Sequence, residues 1–115
     1  MKKINTLIDK YPKLLSILTF GVECGDGWFD LIDKLCEDIT KVDPDAIATQ
    51  VKEKYGTLRF YVTAFDDEVF DLIDKAEDAS ATICEECGEP GKIEGKMWFK
   101  TLCKKCLKEI NYYAN

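Results

Sequence analysis

Gln50-Val-Lys-Glu-Lys-Tyr-Gly-Thr-Leu-Arg-Phe-Tyr61 is the stretch that decides the fold. Leu58, Phe60 and Val62 alternate with polar or amphipathic neighbours, and upstream Ile47, Thr49 and Val51 do the same. A period of two marks a half-buried strand, and Gly56 between the two runs reads as a turn. Ala46 to Tyr55 also fits a helix ending at Gly56, but the alternation favours a hairpin over residues 46–64. In a hairpin, Lys52, Lys54, Arg59, Tyr61 and Thr63 share the face opposite Val51, Leu58, Phe60 and Val62. A basic strip with aromatic rings binds phosphates or stacks bases. Lysines on a solvated sheet face also guard against unwanted pairing, so both readings apply.

On either side the period lengthens to that of helices. Trp28, Leu31, Ile32, Leu35, Cys36 and Ile39 form one face of a helix over about 27–41, with Asp26 as its expected cap. Asp43-Pro44-Asp45 ends it. Asp66-Asp67-Glu68 places acids where the helix dipole favours them, and Val69, Leu72, Ile73, Ala76 and Ala79 carry that helix to about 82. Residues 4–19 have helical spacing interrupted by Pro12, which predicts a break or two short helices. Gly21, Gly25 and Gly27 mark a loop. They lack the spacing and the preceding strand of a dinucleotide fingerprint. The acidic faces Asp30/Asp33/Glu37 and Asp71/Asp74/Asp78 read as solvated surface.

Cys84-Glu-Glu-Cys87 and Cys103-Lys-Lys-Cys106, fifteen residues apart, form the strongest motif in the chain. Two C-x-x-C pairs at this spacing are a zinc signature. Four soft thiolates close a tetrahedral shell and leave no position for a water, so the expected role is structural, with one zinc per chain bound by Cys84, Cys87, Cys103 and Cys106. Iron is the chemically allowed alternative. A disulfide framework belongs to secreted chains, and a redox dithiol needs a single C-x-x-C after a strand. Strands at Lys92–Ile93 and Met97–Leu102, joined around Gly95, and a final helix from Leu107 to Tyr113 give a treble-clef or zinc-ribbon-like module. Cys36 sits on an apolar helix face as a small hydrophobe. Cys24 lies in the glycine loop with no histidine to activate it.

Composition narrows function. The 115 residues are 46% apolar and 33% charged, with net charge −6 and no histidine. Imidazole-ligated metals and Ser–His or Cys–His nucleophile pairs are thereby excluded. Residues 1–83 carry 10 basic and 17 acidic side chains, whereas residues 84–115 carry 6 and 5. An acidic protein is a poor default binder of duplex DNA. The one basic stretch, Lys92, Lys96, Lys100, Lys104, Lys105 and Lys108, is interleaved with glutamates. No apolar run approaches a membrane span. Asp9, Lys10, Pro12 and Lys13 break any signal-peptide pattern, and Glu23 is wrong for lipoprotein cleavage before Cys24. The cytoplasm is therefore the expected compartment, with no membrane partner.

Four strings add up in order: Gly27-Trp28-Phe-Asp-Leu-Ile-Asp-Lys-Leu-Cys36, the hairpin string 50–61, Ile83-Cys84-Glu-Glu-Cys87-Gly88-Glu-Pro90-Gly91, and Trp98 through Thr101-Leu102-Cys103-x-x-Cys106. Together they resemble a family of small, mostly uncharacterised proteins of tailed phages and bacterial genomes, over about residues 25–106. Tyr55 stands where that family usually has phenylalanine. The resemblance implies no enzymatic activity. It implies an accessory protein acting on a host macromolecule, with inhibition of a host or defence factor as one form.

The expected architecture is thus α+β: a helical and hairpin domain over 1–83 with the four-cysteine module, 84–115, packed on it. The expected function is non-catalytic binding, with another protein as partner. The alternative is a nucleotide or nucleic-acid binder using Lys52, Lys54, Arg59 and Tyr61 or the C-terminal lysines.

Overall fold

The computed structural model describes residues 3–95 and 99–114. It is α+β, with four helices and two small sheets: α1 (Leu7–Lys10), β1 (Val22–Glu23), α2 (Phe29–Val42), β2 (Ile47–Lys54), β3 (Thr57–Thr63), α3 (Asp67–Ser80), β4 (Lys92–Glu94), β5 (Lys100–Leu102) and α4 (Lys104–Ala114). Short 3-10 turns at Lys3–Thr6 and Asp26–Trp28 precede α1 and α2. The first sheet has the order β1-β2-β3, with β1 parallel and β3 antiparallel to β2.

The hairpin reading holds. Val51 faces Phe60 and Lys52 faces Arg59 across the ladder. Its two-residue turn, Tyr55-Gly56, has both φ angles positive, 55° and 89°. Paired positive φ angles define the turn whose twist matches a hairpin, and Asn-Gly is its favoured dipeptide. Gly56 takes the conformation without strain, whereas tyrosine in the left-handed region costs about 1–2 kcal/mol.

One detail of the alternation fails. The register shifts between Ala48 and Gln50, so Thr49 is the extra residue of a bulge. Ala48 enters the core in place of the Ile47/Thr49 series, while Val51 keeps its expected side.

The core lies between the inner sheet face, α2 and α3. Trp28, Ile32, Leu35, Leu58, Phe60 and Ile73 are buried together, with Leu31, Val62 and Leu72 packed against them. Asp66 caps α3 by accepting the Glu68 N–H at 2.9 Å. Asp43, just past α2, accepts the N–H groups of Phe65 and Asp45. Those backbone donors, Phe65 first, hold its carboxyl below the ordinary value.

Two expectations need correction. Asp26 does not cap its own helix: its carboxylate accepts the backbone N–H groups of Lys3 and Ile4 at 3.2 and 2.9 Å, and so caps the N-terminal 3-10 turn. Pro12 brings the break, the first of the two outcomes its position allows, and the residues after it form turns. That segment still belongs to the core through Ile4, Leu7, Leu14 and Leu15. The loop expected between 21 and 27 also contains β1, too short to carry a periodicity.

The free edge of β3 is closed from the side. The N–H of Leu58 donates to Ser80 Oγ at 2.9 Å, and that of Phe60 donates to Glu77 Oε2 at 3.0 Å, both from α3.

Candidate metal centre

The module is a C-x-x-C turn, the antiparallel β4–β5 pair and a second C-x-x-C leading into α4. Met97, Trp98 and Lys96 lie outside the described residues. In the first turn, Gly88 N–H donates to Cys84 O at 2.9 Å and Cys84 N–H to Glu89 O at 2.7 Å, which brings both sulfurs to one side. The second pair is built on a helix start three residues earlier than the sequence suggested. Cys103 acts as the cap of α4: its Sγ accepts the Cys106 N–H at 3.4 Å, and its carbonyl accepts the Leu107 N–H at 3.0 Å.

The four Sγ atoms of Cys84, Cys87, Cys103 and Cys106 lie within 4.8 Å of one another, and those of Cys87 and Cys103 are 3.6 Å apart. A zinc tetrahedron with Zn–S bonds of about 2.3 Å has sulfur–sulfur edges of about 3.8 Å, so this cluster is fit to hold such an ion. A disulfide needs about 2.05 Å and is not present between them.

One of the four sulfurs is drawn toward the thiolate, while Cys87 and Cys106 are held above their ordinary values. The Cys106 N–H lowers Cys103 to about 7, while burial raises Cys106 above its ordinary value. Lys104 and Lys105 occupy the first turn of α4, where the helix dipole disfavours cations. Beside a metal–tetrathiolate group of net charge −2, the same lysines are favourable. Cys84 and Cys106 are buried, Cys103 is half-buried and Cys87 is exposed.

The glycine loop of the main domain is the seat of this module. Gly27 N–H donates to Glu85 O at 2.7 Å, and the Trp28 indole donates to Ile83 O at 2.8 Å. A Cβ on Gly27 would stand 2.1 Å from Cys84 O, so only glycine fits. Glu85, between the two ligands, is 2% exposed. Its carboxylate accepts from Gly25 N–H at 2.9 Å and from Lys100 Nζ at 3.1 Å. Lys100 also bonds Glu53 Oε1 at 3.1 Å, and Glu53 Oε2 receives the Gly56 N–H. Burial works against the Lys100 charge, but the two carboxylates outweigh it and hold its pKa above the ordinary value. Thr101 Oγ1 donates to Gly56 O at 2.6 Å and completes the joint.

This clamp was missed in the sequence, although half of it left a trace. With Val51 inward, period two turns Glu53 inward as well, and a carboxylate there demands a cation. Nothing local marks Glu85 or Lys100. Lys100 therefore leaves the set of lysines available to a ligand, whereas Lys92, Lys104, Lys105 and Lys108 are exposed.

The hairpin residues Lys52, Lys54, Arg59 and Tyr61 do come together on the outer sheet face, away from the core. The side chains of Lys52 and Arg59 make no hydrogen bond or ion pair with any described residue. Tyr61 is 44% exposed and Tyr55, at the tip, 67%. Cys36 is buried, and desolvation raises its thiol to about 12, as suits a core residue. Cys24 is buried in the same core rather than displayed by the loop.

Fold and site together define an α+β protein with a C-terminal four-cysteine, metal-binding, zinc-ribbon-like module. Comparison with protein-family models, with curated proteins and with solved structures finds no match. Among the described residues, no helix is long and apolar enough to cross a membrane.

Proposed function

We propose that this chain is a non-catalytic binding protein, stabilised by one structural zinc in a treble-clef arrangement, and that the outer face of the β2–β3 hairpin docks a macromolecule. The observation that carries the reading is the Lys52–Arg59 pair. Like charges directly opposite in an antiparallel ladder destabilise it, and neither side chain has a hydrogen-bond or ion-pair partner among the described residues. An anionic partner seated between them turns that cost into affinity. Arginine and tyrosine, adjacent here as Arg59 and Tyr61, are enriched at binding hot spots. The sequence resemblance supports a phage-type accessory role on a host factor in the cytoplasm. Four thiolates leave a zinc ion no open position, which supports a structural role over a catalytic one.

The test is capture from a bacterial lysate by the zinc-loaded chain and by Arg59→Ala. If the reading is right, Arg59→Ala melts at the wild-type temperature and no longer retains the partner. Equal retention by both proteins, or a lowered melting temperature with unchanged affinity, removes the hairpin face from the function.

A further inference from the structure

Resting on that reading, we infer that the partner of the hairpin face is a single-stranded nucleic acid, with phosphate held by Lys52, Arg59 and Lys54 and bases stacked on Tyr61 and Tyr55. Along the outer face the order is Tyr61, then Arg59 opposite Lys52, then Thr57 opposite Lys54, then Tyr55 at the tip. Successive outward residues on a strand are about 7 Å apart, which sets a ring and a cation side by side at the scale of one nucleotide. Stacking rings alternating with cations are what sequence-tolerant single-strand binders present. An acidic protein partner would use the cations and leave two exposed rings without a task.

Tyr55 supplies a second, independent observation. Asn, Asp or Gly would take the left-handed conformation of this turn with less strain. The chain instead holds there a tyrosine that is two-thirds exposed, with Lys54 Nζ 5.6 Å from its ring centroid. Strain kept at an exposed position points to a use for the displayed side chain.

The geometry favours one strand over two. The cationic strip is narrow and is bounded by Glu23, which stands beside Lys52 in β1. On a chain of net charge −6, the second phosphate backbone of a duplex laid on the strip finds no matching row of cations on this face.

Fluorescence anisotropy of a labelled mixed-sequence single strand of about 12 nucleotides, titrated with the zinc-loaded full chain, tests this. Three phosphate contacts predict a salt slope of about −2, an affinity loss of about 20-fold from about 50 to about 200 mM salt. Arg59→Gln should make the slope shallower by about 0.7. Tyr61→Leu should weaken binding about tenfold and leave the slope unchanged. Tyr55→Asn should raise the melting temperature while lowering affinity, a combination that a purely structural tyrosine does not give. Lys75→Gln, on α3, should bind as wild type. No anisotropy change up to about 100 µM protein overturns the inference. So does equal competition by matched duplex, and so does equal competition by polyglutamate with Tyr61→Leu unaffected, which assigns the face to an acidic protein. Nuclease-resistant capture that still depends on Arg59 ends this inference and leaves the binding role standing.

Discussion

The two parts of this molecule reach stability by different means. The main domain has a continuous apolar core that gathers side chains from Ile4 to Ala76. Among the described residues of the module the buried cluster is Cys84, Leu102 and Cys106, and two of those three belong to the four-cysteine cluster. Apart from the cysteines, the described apolar burial there is Leu102, with Leu107 partly buried beside it. Burial on that scale does not offset the chain entropy of a segment of this size, so the proposed zinc and the glycine loop that receives the module are expected to carry its order.

The largest effect that tests the contrast comes from Cys84→Ser. Metal binding supplies on the order of 10 kcal/mol in small zinc domains, so this variant should lose its zinc and its order beyond residue 84. The main domain should keep its helices. Elemental analysis with amide hydrogen exchange reads both. Full protection of the module without metal would erase the contrast between the parts.

Phe60→Ala probes the other side. Phe60 is buried against the core, and truncation should cost about 3–5 kcal/mol, measured by urea unfolding. Zinc stoichiometry should stay at one as long as the domain is folded. A loss below about 1 kcal/mol would mean that the inner face of the hairpin is not the packing surface described here.

The features behind those two predictions are largely legible in the chain, and the reason is physical. The C-x-x-C spacing, the alternation 58–63 and the 3.6-residue periods of α2 and α3 are local patterns with local causes. What escaped were arrangements fixed by residues far apart in sequence. Asp26 has the right residue type for a cap, but the N–H groups it accepts lie at Lys3 and Ile4. The bulge at Thr49 resets the strand because Ala48 must reach the core, and alternation alone has no term for that. Glu85 looks like a surface acid between two ligands until Gly25 and Lys100 surround it.

The smallest predicted effect addresses the joint itself. Glu85→Gln keeps the acceptor for Gly25 N–H and removes the charge facing Lys100, which should cost about 1–3 kcal/mol. In a double-mutant cycle with Lys100→Met the two changes should couple by about 0.5–3 kcal/mol. Additivity would show that the module rests on the main domain without this bridge.

The side-on closure of β3 has a consequence for behaviour in concentrated solution. Exposed strand edges recruit other chains, and edge-to-edge growth is the usual route from a soluble sheet to an aggregate. Here Ser80 and Glu77 already occupy the outward amides of Leu58 and Phe60, so a neighbouring molecule finds those two donors taken. The opposite edge carries β1, two residues long, against Val51 and Lys52. The hairpin can therefore keep its broad face open to a visitor while the middle of its flank is less inviting to copies of itself.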